Sequence, residues 1–178
     1  AITVEGQGAL TLLFYQGTGA AVRVRRSVDI QLQRFSVIAR LQGADDVGVP
    51  ATPVAGIASE NSALLALRRL AVLVVAQGDV RRDPAIALDG VAIATKIEEC
   101  LALAPIALGS LGSDDPVGGV APPNYLALAE LRVLDNILFG LRDGIRLAGL
   151  ALNIAGAIVE RNLVLGVESA ASIAWFEA

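Results

Sequence analysis

The residues best suited to chemistry in this chain are two pairs of carboxylates. Asp45 and Asp46 stand in GADDVGV (43–49), and Asp114 and Asp115 stand in GSDDPVGGV (112–120). Four carboxylates gathered in one cleft would offer the hard oxygen ligands that Mg²⁺ or Ca²⁺ prefers. A carboxylate pair can also carry acid–base chemistry without histidine. Against this, neither loop has calcium-loop spacing with a closing Glu, and adjacent Asp side chains tend to point apart. Asp after Gly in a turn bonds its own backbone two residues on and favours a helix start. The turn role is therefore preferred. Metal ligation by Asp45, Asp46, Asp114 and Asp115 is kept as the alternative, and no cofactor is expected.

Other chemistries are constrained by what the chain lacks. It has no His, which removes a Ser-His-Asp triad, a Cys-His pair and histidine metal ligands. Its one cysteine, Cys100, has acidic neighbours that disfavour a thiolate, and it forms neither an internal disulfide nor a cysteine zinc cage. Lys96, the sole lysine, would have to be desolvated to form a Schiff base; a helical lysine paired with Glu99 is the simpler expectation. GQGALT (6–11) and GTGAAV (17–22) begin like dinucleotide loops but carry Thr11 and Val22 where the third glycine belongs. Whether the chain is an enzyme is left open at this level.

The densest polar feature is basic. Arg23, Arg25, Arg26, Arg34 and Arg40 fall within residues 1–43 against only Glu5 and Asp29, a net +3, while the whole chain is −4, so the remainder carries −7. An acidic chain with thin aromatic interleaving does not fit nonspecific nucleic-acid binding. A basic end and an acidic remainder fit contact between subunits. With 54% apolar residues, the chain also holds more apolar surface than a soluble monomer usually needs. Its longest charge-free stretch, residues 6–22, contains two Gln and four Gly, which argues against a spanning helix. No leader is apparent at the N-terminus, and a soluble, cytoplasmic protein is expected.

The elements that would position these groups read as α+β. In SVDIQLQRFSVIARL, alternation with a slip near Gln33-Arg34 suggests strands with a bulge, and GTG at 17–19 suggests an antiparallel hairpin. From Ser59 onward, Leu- and Ala-rich runs bounded by Asn61, Gly78, Asp83-Pro84 and Asn124 suggest helices. LALRRLAVL (65–73) echoes LALAELRVL (126–134) at six of nine positions. The expectation is one domain: a β-rich part (1–43) and a helical part (44–178) with duplicated αα-hairpins at 45–104 and 114–166. Trp175 and Phe176 would plug the core or anchor a neighbour. The function expected is a structural, self-assembling subunit of a homo-oligomer whose contacts include Arg23, Arg25, Arg26, Arg34, Trp175 and Phe176. Its partners are further copies or close relatives. A carboxylate-dependent enzyme or small-molecule-binding protein is the alternative.

Overall fold

The computed structural model describes residues 1–8, 10–17, 19–42, 55–77, 84–110 and 126–175, and every regular element among them is a strand. In order they are β1 (Ile2–Glu5), β2 (Leu12–Gly17), β3 (Val22–Arg25), β4 (Val28–Gln33), β5 (Ser36–Gln42), β6 (Ile57–Arg68) and β7 (Ala71–Gln77). They continue as β8 (Pro84–Glu98), β9 (Leu101–Ser110), β10 (Leu126–Leu134), β11 (Ile137–Glu160), β12 (Leu163–Gly166) and β13 (Ser169–Trp175). All thirteen belong to one sheet. The α+β expectation, its helical part over 44–178 and its αα-hairpins are overturned.

Every pairing between these strands is parallel, and each joins a strand to the next circuit of the chain. The run Leu13–Val37–Val72–Ala102–Leu138–Val164 follows one such line of partners through six circuits. Two more lines run beside it, so the chain winds as a coil with three flat faces. The first face stacks β1, β4, residues 63–68 of β6, 91–98 of β8, β10 and 150–160 of β11. The second stacks β2, β5, β7, 101–104 of β9, 137–140 of β11 and β12. The third stacks β3, 57–60 of β6, 84–88 of β8, 106–110 of β9, 143–147 of β11 and β13.

Alternation fills the inside. On each strand, every second side chain points to the enclosed axis. Leu32, Leu67, Ile97 and Val133 line it from the first face, Val37, Val72, Ala102 and Leu138 from the second, and Ile57, Ile86, Leu108 and Ile145 from the third. These belong to one apolar cluster.

Corners turn the chain from face to face, and their chemistry explains why helices were expected. The first corner places Arg34, Arg69, Glu99, Asp135 and Arg161 in the left-handed region, with φ between 52° and 60°. Glycine or asparagine normally advertises that conformation. Here charged residues adopt it, so a strand–corner–strand such as residues 63–77 reads as one uninterrupted Leu- and Ala-rich run. The slip at Gln33-Arg34 is this same corner, not a bulge within one strand. β2 and β3 do not pair, so no antiparallel hairpin joins them. The echo of 65–73 in 126–134 is not in register either: Leu65 lies in line with Thr95, and Thr95 with Leu131.

A second left-handed column crosses the first face. Asp29, Leu64, Ala94, Glu130 and Gly156 occupy equivalent positions on successive coils, with φ from 49° to 72°.

Candidate functional site: the open coil ends, an outer apolar stripe and a charged corner

Among the described residues, inward positions of the first and sixth coils are exposed. Ile2 and Val4 occupy the same inward lines as Leu65 and Leu67, which are fully buried. Yet Ile2 is 62% exposed and Val4 49%. Leu13 stands in line with the buried Val37 and is also exposed. At the far end, Val159 continues the inward line of Val133 and is 49% exposed. Among the described residues no strand pairs with the outer edges of β1, β2 and β3, or of β12, β13 and residues 150–160. Those edges leave backbone N–H and C=O groups available for pairing.

The outside of the second face carries two outward lines that are apolar but for Ser36, and beside them a third with Gln16, Arg40 and Val75. One outward line runs Leu12, Ser36, Ala71, Leu101, Ile137, Leu163. The next, two residues further along each strand, runs Phe14, Ile38, Leu73, Leu103, Phe139, Leu165. Phe14 is 66% exposed, and Leu101, Ile137 and Leu163 are each about half exposed. No described residue packs over this stripe.

Beside the stripe runs the first corner with its charges. Arg34 bonds Glu5 at 3.1 Å, Arg69 bonds Glu99 at 2.7 Å, and Arg161 bonds Asp135 at 2.7 Å. The hydrogen bond from Arg69 holds the Glu99 carboxyl below its ordinary range, and Arg161 does the same to Asp135. Backbone bonding continues under these side chains: the Arg69 N–H donates to the Glu98 carbonyl and the Glu99 N–H to the Leu134 carbonyl. Just inside the corner stand Phe35, Leu70, Cys100 and Asn136, all buried. Asn136 Oδ1 accepts the Cys100 N–H at 2.8 Å, and its Nδ2 donates to the Ile97 carbonyl and to Asn162 Oδ1, each at 2.9 Å. Asn162 repeats the pattern one coil on, accepting the Asn136 N–H and donating to the Val133 carbonyl. Burial pushes the Cys100 thiol up to about 11, which leaves it protonated and unreactive at neutral pH.

The basic cluster divides. Arg23 and Arg25 project from one side of β3, opposite the buried Val24, and both reach the carboxylate of the buried Glu60 one coil away. That bond raises the Arg23 pKa further. Glu60 stands beside Asp89 in register, and burial first, then the Glu60 charge, raises the Asp89 carboxyl above its ordinary range despite a bond from the Gly90 N–H. Arg26 turns the next corner with φ 47°, its N–H on the Glu60 carbonyl. Arg34 belongs to the other corner, with Glu5. Lys96 faces outward on the first face between Ala66 and Arg132, and the Glu99 expected to pair with it holds Arg69 instead.

The carboxylates that open the chain's chemistry, Asp45, Asp46, Asp114 and Asp115, lie outside the described residues, as does Phe176. The backbone of Trp175 closes β13 beside Leu150. Among the described residues no group of three or more His, Cys, Asp or Glu side chains gathers in the manner of a metal site. No helix among them is long and apolar enough to cross a membrane. The exposed stripe was missed in the sequence because its residues alternate with core residues of the same type: in LALAP and AVLVV both sides of the strand are apolar. Comparison of the chain with protein-family models, curated proteins and solved structures finds no match.

Proposed function

We propose that the chain is a structural subunit that associates with further copies of itself end to end, without chemistry of its own. The first coil of one copy seats on the sixth coil of the next and extends the same three-faced stack. One observation carries this: the inward lines of apolar side chains that are sealed in the middle coils are open at both ends. A further coil buries them and completes the unpaired edges in a single step. Because all pairing is parallel, the two edges of the stack differ, and each matches the other rather than itself. Contacts of that kind are head-to-tail and build open filaments. The charge split between residues 1–43 and the rest favours the same approach. A cytoplasmic setting fits the single unpaired cysteine.

Light scattering after size exclusion tests this across a concentration series. The unmodified chain should give a ladder of masses that lengthens with concentration. Val4→Asp places a charge on the open line of the first coil, and Val159→Asp does so on the sixth. Each variant alone should be monomeric, because each destroys one half of every contact. Mixed, they should form a dimer and stop, since Val4→Asp retains a working sixth coil and Val159→Asp a working first coil. An unmodified chain that stays monomeric at all concentrations, or a ladder that survives both substitutions, would overturn the proposal.

A further inference from the structure

The outer stripe of the second face takes no part in end-to-end stacking, and it carries a second, independent contact. We infer that a second copy docks face to face on this stripe, about a two-fold axis that runs along the strands between the third and fourth coils.

Self-complementarity of charge is the first argument. Such an axis sets the first coil of one copy against the sixth of the other, the second against the fifth, and the third against the fourth. The corner then meets its own reverse. Arg34 of the second coil faces Asp135 of the fifth, and Arg69 of the third faces Glu99 of the fourth, while Gly6 holds the corner of the first coil. Both oppositions are of unlike sign, and all four side chains are exposed. Like charges at any level would oppose the contact.

Size is the second argument. In the line nearest the corner, Ser36 faces Ile137 and Ala71 faces Leu101, a small residue against a large one, and Leu12 faces Leu163. In the adjacent line, Leu73 meets Leu103 and Ile38 meets Phe139. Strands stack about 4.8 Å apart and rise about 3.3 Å per residue, so six strands of four residues present roughly 380 Å² per copy, about 760 Å² in total. That is smaller than a stable specific interface and corresponds to a weak, transient dimer. Arg69 and Glu99, on the third and fourth coils, lie closest to the axis.

The test uses the full chain carrying both Val4→Asp and Val159→Asp, so that stacking is blocked and the two contacts fail separately. Sedimentation velocity should show a dimer at high concentration that dissociates on dilution. Phe139→Lys should leave a monomer with unchanged far-UV circular dichroism. Arg69→Glu and Glu99→Arg should each weaken the dimer about tenfold, since each makes two like-charge oppositions. Mixing the Arg69→Glu and Glu99→Arg chains should restore dimerisation as a heterodimer, because every opposition is then again of unlike sign. A merely structural role for either residue predicts no such rescue. A monomer at every concentration, a dimer indifferent to Phe139→Lys, or a mixture no tighter than its components overturns the inference. So does a chain that binds phosphatidylcholine vesicles through the stripe but does not dimerise in their absence.

Discussion

Replacing Asn136 by alanine should cost the fold more than any other single polar truncation described here. The side chain is 1% exposed and makes three hydrogen bonds across two coils. Truncation leaves the Cys100 N–H and the Ile97 carbonyl without that partner at the buried corner. An unmade bond at a buried polar group costs about 1–3 kcal/mol, so two such groups give a loss of about 3 kcal/mol. Asn162 Oδ1 retains the Asn136 N–H and does not add to the loss. Urea unfolding followed by far-UV circular dichroism measures this directly, with the midpoint falling and the slope unchanged. Asn162→Ala, at a half-buried site, should cost less, about 1–2 kcal/mol. Asn136→Asp keeps the acceptor for Cys100 but sets a carboxylate against the Ile97 carbonyl and Asn162 Oδ1, so it should destabilise at neutral pH and recover in acid. A loss under about 1 kcal/mol for Asn136→Ala, or a larger loss for Asn162→Ala, would refute the assignment of the corner bonds.

The Thr95 hydroxyl is fully buried without a hydrogen-bond partner in the inward line that holds Leu65 and Leu131, so Thr95→Val should raise stability by about 1 kcal/mol in the same urea assay; a loss would mean that the hydroxyl is satisfied. Leu64 holds φ 54° with its side chain half exposed, and Leu64→Gly should relieve strain and leave stability unchanged or higher by about 1 kcal/mol. Cys100 should resist a disulfide exchange reagent at pH 8 until urea unfolds the chain, and labelling that precedes unfolding would contradict its burial. The Asp89 carboxyl has a folded pKa above its unfolded value, so the fold binds its proton more tightly than the unfolded chain does. Its contribution to stability is greatest below the ordinary carboxyl range and is lost as pH rises through the folded value. Asp89→Asn should therefore gain on the unmodified chain as pH rises above the ordinary carboxyl range, and the opposite slope would refute the sign.

How much of this was legible in the sequence differs by region. The strands of residues 1–42 were visible in period-two alternation, because the outward positions there include Gln31, Gln33, Arg23 and Arg25 beside inward Leu32 and Val24. Further along, the second face presents apolar residues outward as well as inward, so Val72, Leu73 and Val74 form a continuous run without a polar beat. Such a run does not tell strand from buried helix. Leu, Ala, Arg and Glu, the residues that dominate 59–104 and 126–160, are strong helix formers, and that local preference is overridden by pairing with the neighbouring coils. Corners made by Arg69, Glu99 and Asp135 removed the remaining punctuation. The basic cluster was readable as composition, but its division between Glu60 on one corner and Glu5 on another depends on which residues come into register one coil later. The column of charge down the corner was likewise hidden, since Arg34, Arg69, Glu99, Asp135 and Arg161 are scattered in the chain and adjacent only in space.

The unequal circuits of the coil have a consequence for size. Successive partners on the second face run from Leu12 to Ser36, Ala71, Leu101, Ile137 and Leu163, so the number of residues spent on a turn changes from coil to coil. The climb along the axis does not change with it, because each turn advances by one strand spacing of about 4.8 Å. Residues added at a corner thicken the girth and leave the length untouched. Length changes only by whole turns, so the molecule is a ruler graduated in coils, whose reach is counted in circuits rather than amino acids.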